Sequence, residues 1–274
     1  MPQLITYKEK DCFVHRLSGL TKLVFFLLWT LTSMLSYDTR VLVSMFCLSA
    51  LVFYVSKIEW SQISAVIKAM AFFLILNVTA IFIFSPYEGC KIYNSRTDLF
   101  FIAGNYTLTF QQLFYEANIV LKYCTIVPAV LVFVTATNPS EFASALNRVG
   151  LPYTVSYAVS LSLRYVPDIQ NDFVKIKNAQ SARGIEMSGK ANIFKRIKNV
   201  AAIIFPLVFT SMERIDTISS AMELRGFGKK KKRSWYAARP LSKYDFICLT
   251  CTIILCVTAL FITYKDGSRF YNPF

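Results

Sequence analysis

Residues 245–264 read DFICLTCTIILCVTALFITY, a run of 20 residues whose only charged side chain is the first one, Asp245. A transmembrane α-helix needs about 20 consecutive apolar residues, so this stretch predicts a membrane span. Of the 274 residues in the chain, 55% are hydrophobic and only 17% are charged, with a mean hydropathy of +0.45. The composition is too apolar for a soluble domain, and it predicts an all-α, polytopic membrane protein with a sizeable water-facing part.

Four further apolar runs lie in the first half of the chain, at about 20–35, 41–56, 66–86 and 118–136. The last two are long enough to cross a bilayer, whereas the first two are short and predict a tilted or shallow hairpin. About five transmembrane helices result. The chain then divides into an N-terminal membrane part (1–136), a middle part of long helices (137–244) and a last span with its tail (245–274).

Positive charge is concentrated in the middle part. Residues 137–244 hold 18 lysines and arginines against 7 acidic residues, which is a net +11 out of the chain's +14. Basic segments near a span stay on the cytoplasmic side, and both Lys229–Arg233 and Lys243 lie close to the last span. We therefore expect a cytoplasmic middle part. Five crossings then place the N-terminus in the cytoplasm and the C-terminus outside, with an external loop at 87–112.

Turn residues divide the middle part into helices. Pro139 ends the fourth span and opens a short helix that stops before Pro152. Residues 153–165 alternate apolar and small side chains, which is typical of a strand, but a lone strand at a membrane surface leaves its backbone groups unpaired. We therefore expect a helix there, followed by a new helix that starts at Pro167 and runs to Arg183.

A second long amphipathic pattern predicts a helix from about Asn192 to Arg225, bent at Pro206. Both long helices end with an arginine in the last helical residue and a glycine after it. The two triads are Ala182-Arg183-Gly184 and Leu224-Arg225-Gly226. A cation near a helix C-terminus is favourable, so capping is sufficient to explain one such pair. The repeat favours arginines that dock into acceptor-lined grooves on partner proteins.

Two other motifs in the middle part have competing interpretations. Residues 184–191 fit the spacing of a phosphate-binding P-loop, but Ala191 replaces the hydroxyl residue that holds Mg²⁺, and the preceding residues predict a helix instead of a strand. We therefore expect no ATP binding by this chain. The run Lys229–Arg233 is compatible with nucleic-acid binding, but its position before the last span favours contact with the anionic headgroups of the lipid bilayer.

The composition argues against several chemistries. His15 is the only histidine, so a histidine-rich metal site or a pair of catalytic histidines is excluded within this chain. Seven cysteines scattered through apolar runs are typical of small buried side chains, not of a disulfide framework. Lys68, Glu116 and Lys122 lie toward span ends, where we expect them to snorkel. The sequence predicts no catalytic site, no cofactor and no metal site.

Three short motifs stand out along the chain: His15-Arg16-Leu17 followed by Lys22-Leu23 near the N-terminus, the turn Thr137–Glu141 before the short helix, and Leu163–Pro167 before the long one. Together with the two Arg-Gly triads, they resemble the transmembrane T component of energy-coupling factor (ECF) transporters, the ATP-driven importers of vitamins and trace metal ions in prokaryotes. The resemblance implies that each arginine docks on one of two ABC-type ATPase subunits. It also implies a third partner, a small substrate-binding membrane subunit called the S component.

Three functional classes are compatible with these observations. The first is a non-enzymatic scaffold in a prokaryotic cell membrane that couples two ATPases to an S component during vitamin or trace-metal uptake. The second is a permease subunit of another ABC transporter, whose spans bind the substrate themselves. The third is a membrane-embedded enzyme, which the few and dispersed carboxylates of the spans disfavour. The resemblance favours the scaffold.

Overall fold

The structure is a computed structural model that describes residues 12–56, 58, 60–103, 106–184, 193–229, 234–236, 238–265 and 268–273. Within these residues the chain forms ten α-helices and one β-hairpin. In chain order they are α1 (Phe13–Arg16), α2 (Gly19–Leu35), α3 (Thr39–Val55), α4 (Trp60–Phe84), α5 (Glu88–Tyr93), β1 (Asp98–Ala103), β2 (Tyr106–Thr109), α6 (Phe110–Ala136), α7 (Pro139–Val149), α8 (Tyr153–Ala182), α9 (Ile193–Leu224) and α10 (Lys243–Lys265).

The chain divides into two compact units. We call residues 1–138 and 239–274 the membrane unit, and residues 139–238 the insert unit, since they interrupt the membrane unit in sequence. Three helices of the membrane unit are long and apolar enough to cross a bilayer, namely Ile63–Phe84 within α4, the whole of α6 and the whole of α10. Helices α2 and α3 are apolar but shorter, at 17 residues each. The all-α polytopic fold class is confirmed.

Trp29 lies at the centre of the membrane unit's core. Its indole is 2% exposed and stacks on the ring of Phe25, with 5.2 Å between the ring centroids. The buried residues packed around it come from three other spans: Val41, Met45, Ala129 and Cys256. Because α3, α6 and α10 each contribute to this cluster, one aromatic side chain of α2 links four apolar helices.

The structure corrects the boundaries of two predicted spans. The fourth span begins at Phe110 instead of near residue 118, because the Thr109 hydroxyl caps the helix by accepting from the Gln112 N–H at 3.3 Å. The polar residues that made this segment look like a loop are buried inside the protein. The third span ends at Phe84, just before Pro86, and begins earlier than predicted, at Trp60.

The segment predicted as an external loop, 87–112, is ordered by α5 and the β-hairpin. In the hairpin, Asp98 lies opposite Thr109 in antiparallel register. The Gln112 side-chain oxygen accepts from the Gly89 N–H at 2.9 Å, which holds α5 against the start of α6. Burial raises the pKa of the Tyr93 hydroxyl at the end of α5. Short polar contacts therefore fix this loop, a pattern that hydropathy does not record.

The expectation that ionisable side chains of the spans snorkel is wrong for Glu116 and Lys122. Lys122 is 7% exposed, and its Nζ donates to the Met34 carbonyl at 2.9 Å and lies 3.0 Å from the centroid of the Tyr37 ring. Glu116 is 8% exposed and accepts from the Gln112 amide at 3.0 Å. Protein groups therefore satisfy both side chains. Lys68 is exposed on α4, as expected of a snorkelling side chain.

The insert unit contains α7, α8 and α9. Helix α7 begins at Pro139 and ends at Val149, as the turn residues predict. Residues 153–165 are helical, which confirms the choice of helix over strand, but the predicted restart at Pro167 is wrong because α8 is one helix of 30 residues. A proline inside a helix removes one backbone hydrogen bond, yet contacts with α9 on both sides of Pro167 hold α8 continuous.

Candidate coupling helices

Helices α8 and α9 form an antiparallel pair. Near the middle, the Arg214 guanidinium donates to the Asp172 carboxylate at 2.6 Å, and farther along the Gln180 amide donates to the Ala202 carbonyl at 3.3 Å. Residue numbers thus increase along α8 in the direction in which they decrease along α9. The C-terminus of each helix lies beside the N-terminal part of the other.

The end of α9 is fixed by a Schellman motif. The helix ends at Leu224, and Arg225 is the residue after it. The Gly226 N–H donates to the Glu223 carbonyl at 2.8 Å, and the Phe227 N–H donates to the Met222 carbonyl at 2.9 Å. Gly226 has a φ of +66°, a left-handed conformation that glycine adopts without steric cost. The backbone around Arg225 is therefore set by a defined turn.

An aromatic cluster supports this turn from inside the insert unit. The ring of Phe227 lies 4.8 Å from the Tyr157 ring and 5.7 Å from the Tyr153 ring, centroid to centroid. The Trp235 ring lies tilted against the Tyr153 ring, with 5.3 Å between the centroids, and its Nε1 donates to the Asn147 side chain at 3.1 Å. Residues from α7, α8 and the segment after α9 thus fix the position of Arg225 (the cluster is Asn147, Tyr153, Tyr157, Phe227 and Trp235).

The end of α8 repeats the first half of the same motif. The helix ends at Ala182, the Gly184 N–H donates to the Ser181 carbonyl at 3.0 Å, and Gly184 has a φ of +82°. Arg183 is exposed, and within the part of the chain that the structure describes its guanidinium has no hydrogen-bond or ion-pair partner. Residues 185–192, which include most of the P-loop-like motif, lie outside the described residues.

Both predicted arginines therefore lie one residue beyond the helix, at the C-cap, and not in its last turn. The structure does not bring them together. The turn at Arg225 packs beside Tyr157, and Arg183 follows Tyr157 by 26 positions in the sequence, at the far end of α8. At 1.5 Å per helical residue, the two arginines are about 40 Å apart. Two equivalent cations thus stand at opposite ends of one helix pair.

A third arginine, which the motif analysis did not select as a site residue, lies beside Arg225. Arg164 of α8 and Arg225 line one cleft of about 340 Å³ between α8 and the end of α9. Phe227 lines the same cleft and was also missed. The sequence carried a signal for Phe227, because a hydrophobic residue directly after a C-terminal glycine is typical of a Schellman motif. Arg164 lies within the motif Leu163–Pro167, but its place beside Arg225 depends on how α9 packs, which the sequence does not show.

The long helices leave much apolar surface uncovered within the insert unit. An apolar groove of about 440 Å³ runs between α8 and α9, lined on its two sides by residues such as Leu161 and Ile215. Along α9, large apolar side chains are 47–63% exposed. They are Ile197, Ile204, Phe205, Val208, Phe209, Met212 and Ile215. Apolar surface of this extent is typical of a partner or membrane interface.

These features define an α-helical integral membrane protein with an inserted unit of long helices that end in exposed arginines. The chain belongs to the family described as CbiQ, cobalt transport protein, whose family model matches residues 10–235. That match covers residues 10–138 of the membrane unit and nearly all of the insert unit, including the two Arg-Gly triads, and it ends before α10.

Relatives from several bacteria carry the name energy-coupling factor transporter transmembrane protein EcfT. The chain is 27% identical to the one from Streptococcus thermophilus over 240 residues, which are 84% of this chain and 86% of the relative. It is 26% identical to the Staphylococcus aureus protein over 275 residues, 94% and 96% of the two chains. It is 26% identical to the Lactococcus lactis protein over 265 residues, which are 91% of this chain and 95% of the relative. The resemblance is confirmed: the chain is a T component of an ECF transporter, a membrane subunit that works with other subunits.

Proposed function

We propose that the chain is a non-catalytic coupling scaffold, which passes conformational change from two ABC-type ATPase subunits to a substrate-binding membrane subunit during import of a vitamin or trace metal. The observation that carries this proposal is the pair of Arg-Gly ends. Arg183 and Arg225 occupy equivalent C-cap positions, each before a glycine with positive φ, at opposite ends of one helix pair. A separation of about 40 Å gives each arginine a separate subunit to bind.

Arginine suits this role better than lysine. Its guanidinium is planar, is always charged, and presents five donors in a rigid fork that matches carboxylates and carbonyl groups in a groove. The glycine after it ends the helix abruptly, so that the cation projects from the tip of a stiff helix. Movement of an ATPase groove would then displace the whole helix.

ATP hydrolysis belongs to the partner subunits in this account. The P-loop-like spacing at 184–191 follows α8, which is helical up to Ala182, whereas a phosphate-binding P-loop follows a buried strand. The exposed apolar side chains of α9 support a partner of membrane-protein character, which is the class of the S component.

Arginine-to-lysine substitutions test the docking role. Lysine keeps the charge that caps the helix but loses the planar fork, so Arg183→Lys and Arg225→Lys should each reduce recovery of ATPase subunits with the purified chain by about tenfold, and the double variant by more. Arg148→Lys is the matched control, because Arg148 is another exposed arginine near a helix C-terminus, in the last turn of α7. Wild-type recovery of both ATPases by the double variant would reduce both motifs to helix caps.

The proposed topology places Met1 in the cytoplasm and Phe274 outside. It is supported by five apolar helices and by the basic residues of the insert unit, whose return to the membrane unit passes Lys243 at the start of α10. Reporter fusions at the two ends should be active on opposite faces of the membrane. Finding both ends on the same face would contradict a topology with an odd number of crossings.

A further inference from the structure

Both connections between the two units start from one buried polar cluster of the membrane unit. The chain leaves this unit after α6, whose last residue is Ala136, and returns to it at Arg239, before α10. The segment of residues 15–22, which precedes and begins α2, is bonded to both places. We call this segment the anchor. All of the contacts described below lie within the membrane unit.

Lys22 holds the exit. Its side chain is 5% exposed, and Nζ donates to the Ala136 carbonyl at 2.8 Å and to the His15 carbonyl at 3.3 Å. Ala136 is the last residue of α6, so its carbonyl lies in the last helical turn, whose carbonyl groups accept no hydrogen bond within the helix. A cation at this position is also stabilising, because it lies at the negative end of the helix dipole. Lys22 thus fixes the point at which the chain leaves α6.

Asp245 holds the return. Its side chain belongs to a residue that is 1% exposed, and Oδ2 accepts from the Ser242 N–H at 2.8 Å, which is the bond that the third helical residue supplies in a capping box at the start of α10. Oδ1 accepts from the Ser18 N–H at 2.8 Å and from the Thr21 hydroxyl at 2.7 Å, at the start of α2. One carboxylate therefore serves the N-termini of two helices, where negative charge is favourable.

Arg239 adds a second contact at the return. Its guanidinium donates to the His15 carbonyl at 3.1 Å, the same oxygen that accepts from Lys22. The return is therefore bonded directly to the His15 carbonyl, and the exit is linked to the same carbonyl through the ammonium group of Lys22. Without these bonds, each connection would be held to the membrane unit only by the backbone that joins it to the neighbouring helix.

We propose that Lys22 and Asp245 are positioning residues of energy coupling: they fix both connections to the spans, so that a displacement of the insert unit moves the membrane unit instead of being lost in loose connections. The consequence for transport rests on the proposed coupling function. The fixation itself does not, and it is measurable without the ATPases.

Spin-label distance measurements test this inference. One nitroxide at Tyr54→Cys in α3 and another at Asn171→Cys in α8 report on the two units, in a chain whose native cysteines are replaced by alanine; Tyr54 is 85% exposed and Asn171 is also exposed. In the detergent-purified chain without nucleotide, Asp245→Asn and Lys22→Met should at least double the width of the distance distribution. Thr21→Val, which removes one hydrogen bond and is the mildest change, should broaden it less.

The matched controls are Asp98→Asn and Lys68→Met, which make the same chemical changes at exposed positions of the membrane unit. They should leave the distribution unchanged. Equal widths in the wild type, in the variants at Lys22, Thr21 and Asp245, and in the controls would overturn the inference.

A second arm separates this inference from the proposed function. With ATPase subunits bound, Mg-ATP should shift the mean distance in the wild type, and Asp245→Asn should reduce the shift at least threefold while the ATPases stay bound. Absence of a shift in the wild type counts against the coupling function, whereas the widths alone decide whether the anchor fixes the connections. A full shift in Asp245→Asn would show that Asp245 does not position the units for coupling.

Discussion

The membrane unit and the insert unit differ in how their polar and apolar groups are satisfied. The membrane unit buries charged and amide side chains against one another and against helix ends, as at Lys22, Gln112 and Asp245. In the insert unit, α8 buries only Ser156 among its described residues, and long apolar side chains of α9 are exposed. Among the described residues, the membrane unit pairs many of its buried polar side chains internally, whereas the insert unit leaves a long apolar face of α9 exposed.

Gly89→Ala should break the membrane unit and is the largest effect we expect. A Cβ at Gly89 would lie 2.4 Å from the Gln111 carbonyl oxygen and 2.7 Å from the Gln112 nitrogen, so α5 and the start of α6 would have to separate. We expect a loss of about 3 kcal/mol in the free energy of unfolding, measured as thermal unfolding of the purified chain in detergent.

Gly184→Ala in the insert unit is the comparison for this variant. Its added Cβ meets nothing within 4 Å, so only the strain of a φ of +82° is expected, about 1 kcal/mol. A midpoint for Gly89→Ala equal to or above that for Gly184→Ala would contradict the difference between the units.

In the insert unit, two cations near the same carboxylate should differ in how much they contribute to stability. Arg214 donates to Asp172 at 2.6 Å and is 32% exposed, whereas Lys175 lies 3.9 Å from it and is 79% exposed. Arg214→Met should lower the stability of the α8–α9 pair by about 1 kcal/mol, and Lys175→Met by less than about 0.5 kcal/mol. The difference is measured by limited proteolysis of the membrane-inserted chain, as the rate of cleavage within residues 193–229. Equal rates for the two variants would remove the role assigned to Arg214.

Hydropathy and turn residues were sufficient to predict most of the helices. The ends of α2, α3, α7 and α10 follow from apolar run length, proline and side-chain caps, all of which are local properties. The Arg-Gly triads predicted the ends of both long helices to within one residue, because glycine at positive φ is a strong local signal.

Features that depend on packing between distant residues escaped the sequence. The polar start of α6 and the buried Lys122 were assigned to water or lipid because their partners, such as Met34, are far away in the chain. The continuity of α8 through Pro167 likewise depends on α9. Arg164 became a candidate only when α9 placed Arg225 beside it.

The central claim is that the two arginine ends bind two separate ATPase subunits. A photo-activated cross-linking residue at Ala182 or at Leu224, each next to its arginine, tests this claim in the assembled transporter, with Val149 of α7 as the control position; Leu224 is 90% exposed and Val149 is 52% exposed. Each single substitution should join the chain to one ATPase subunit, and the double substitution should give a product of one chain with two ATPase subunits. A double-substituted chain that joins to only one ATPase, or cross-linking no stronger than that from Val149, would contradict the account.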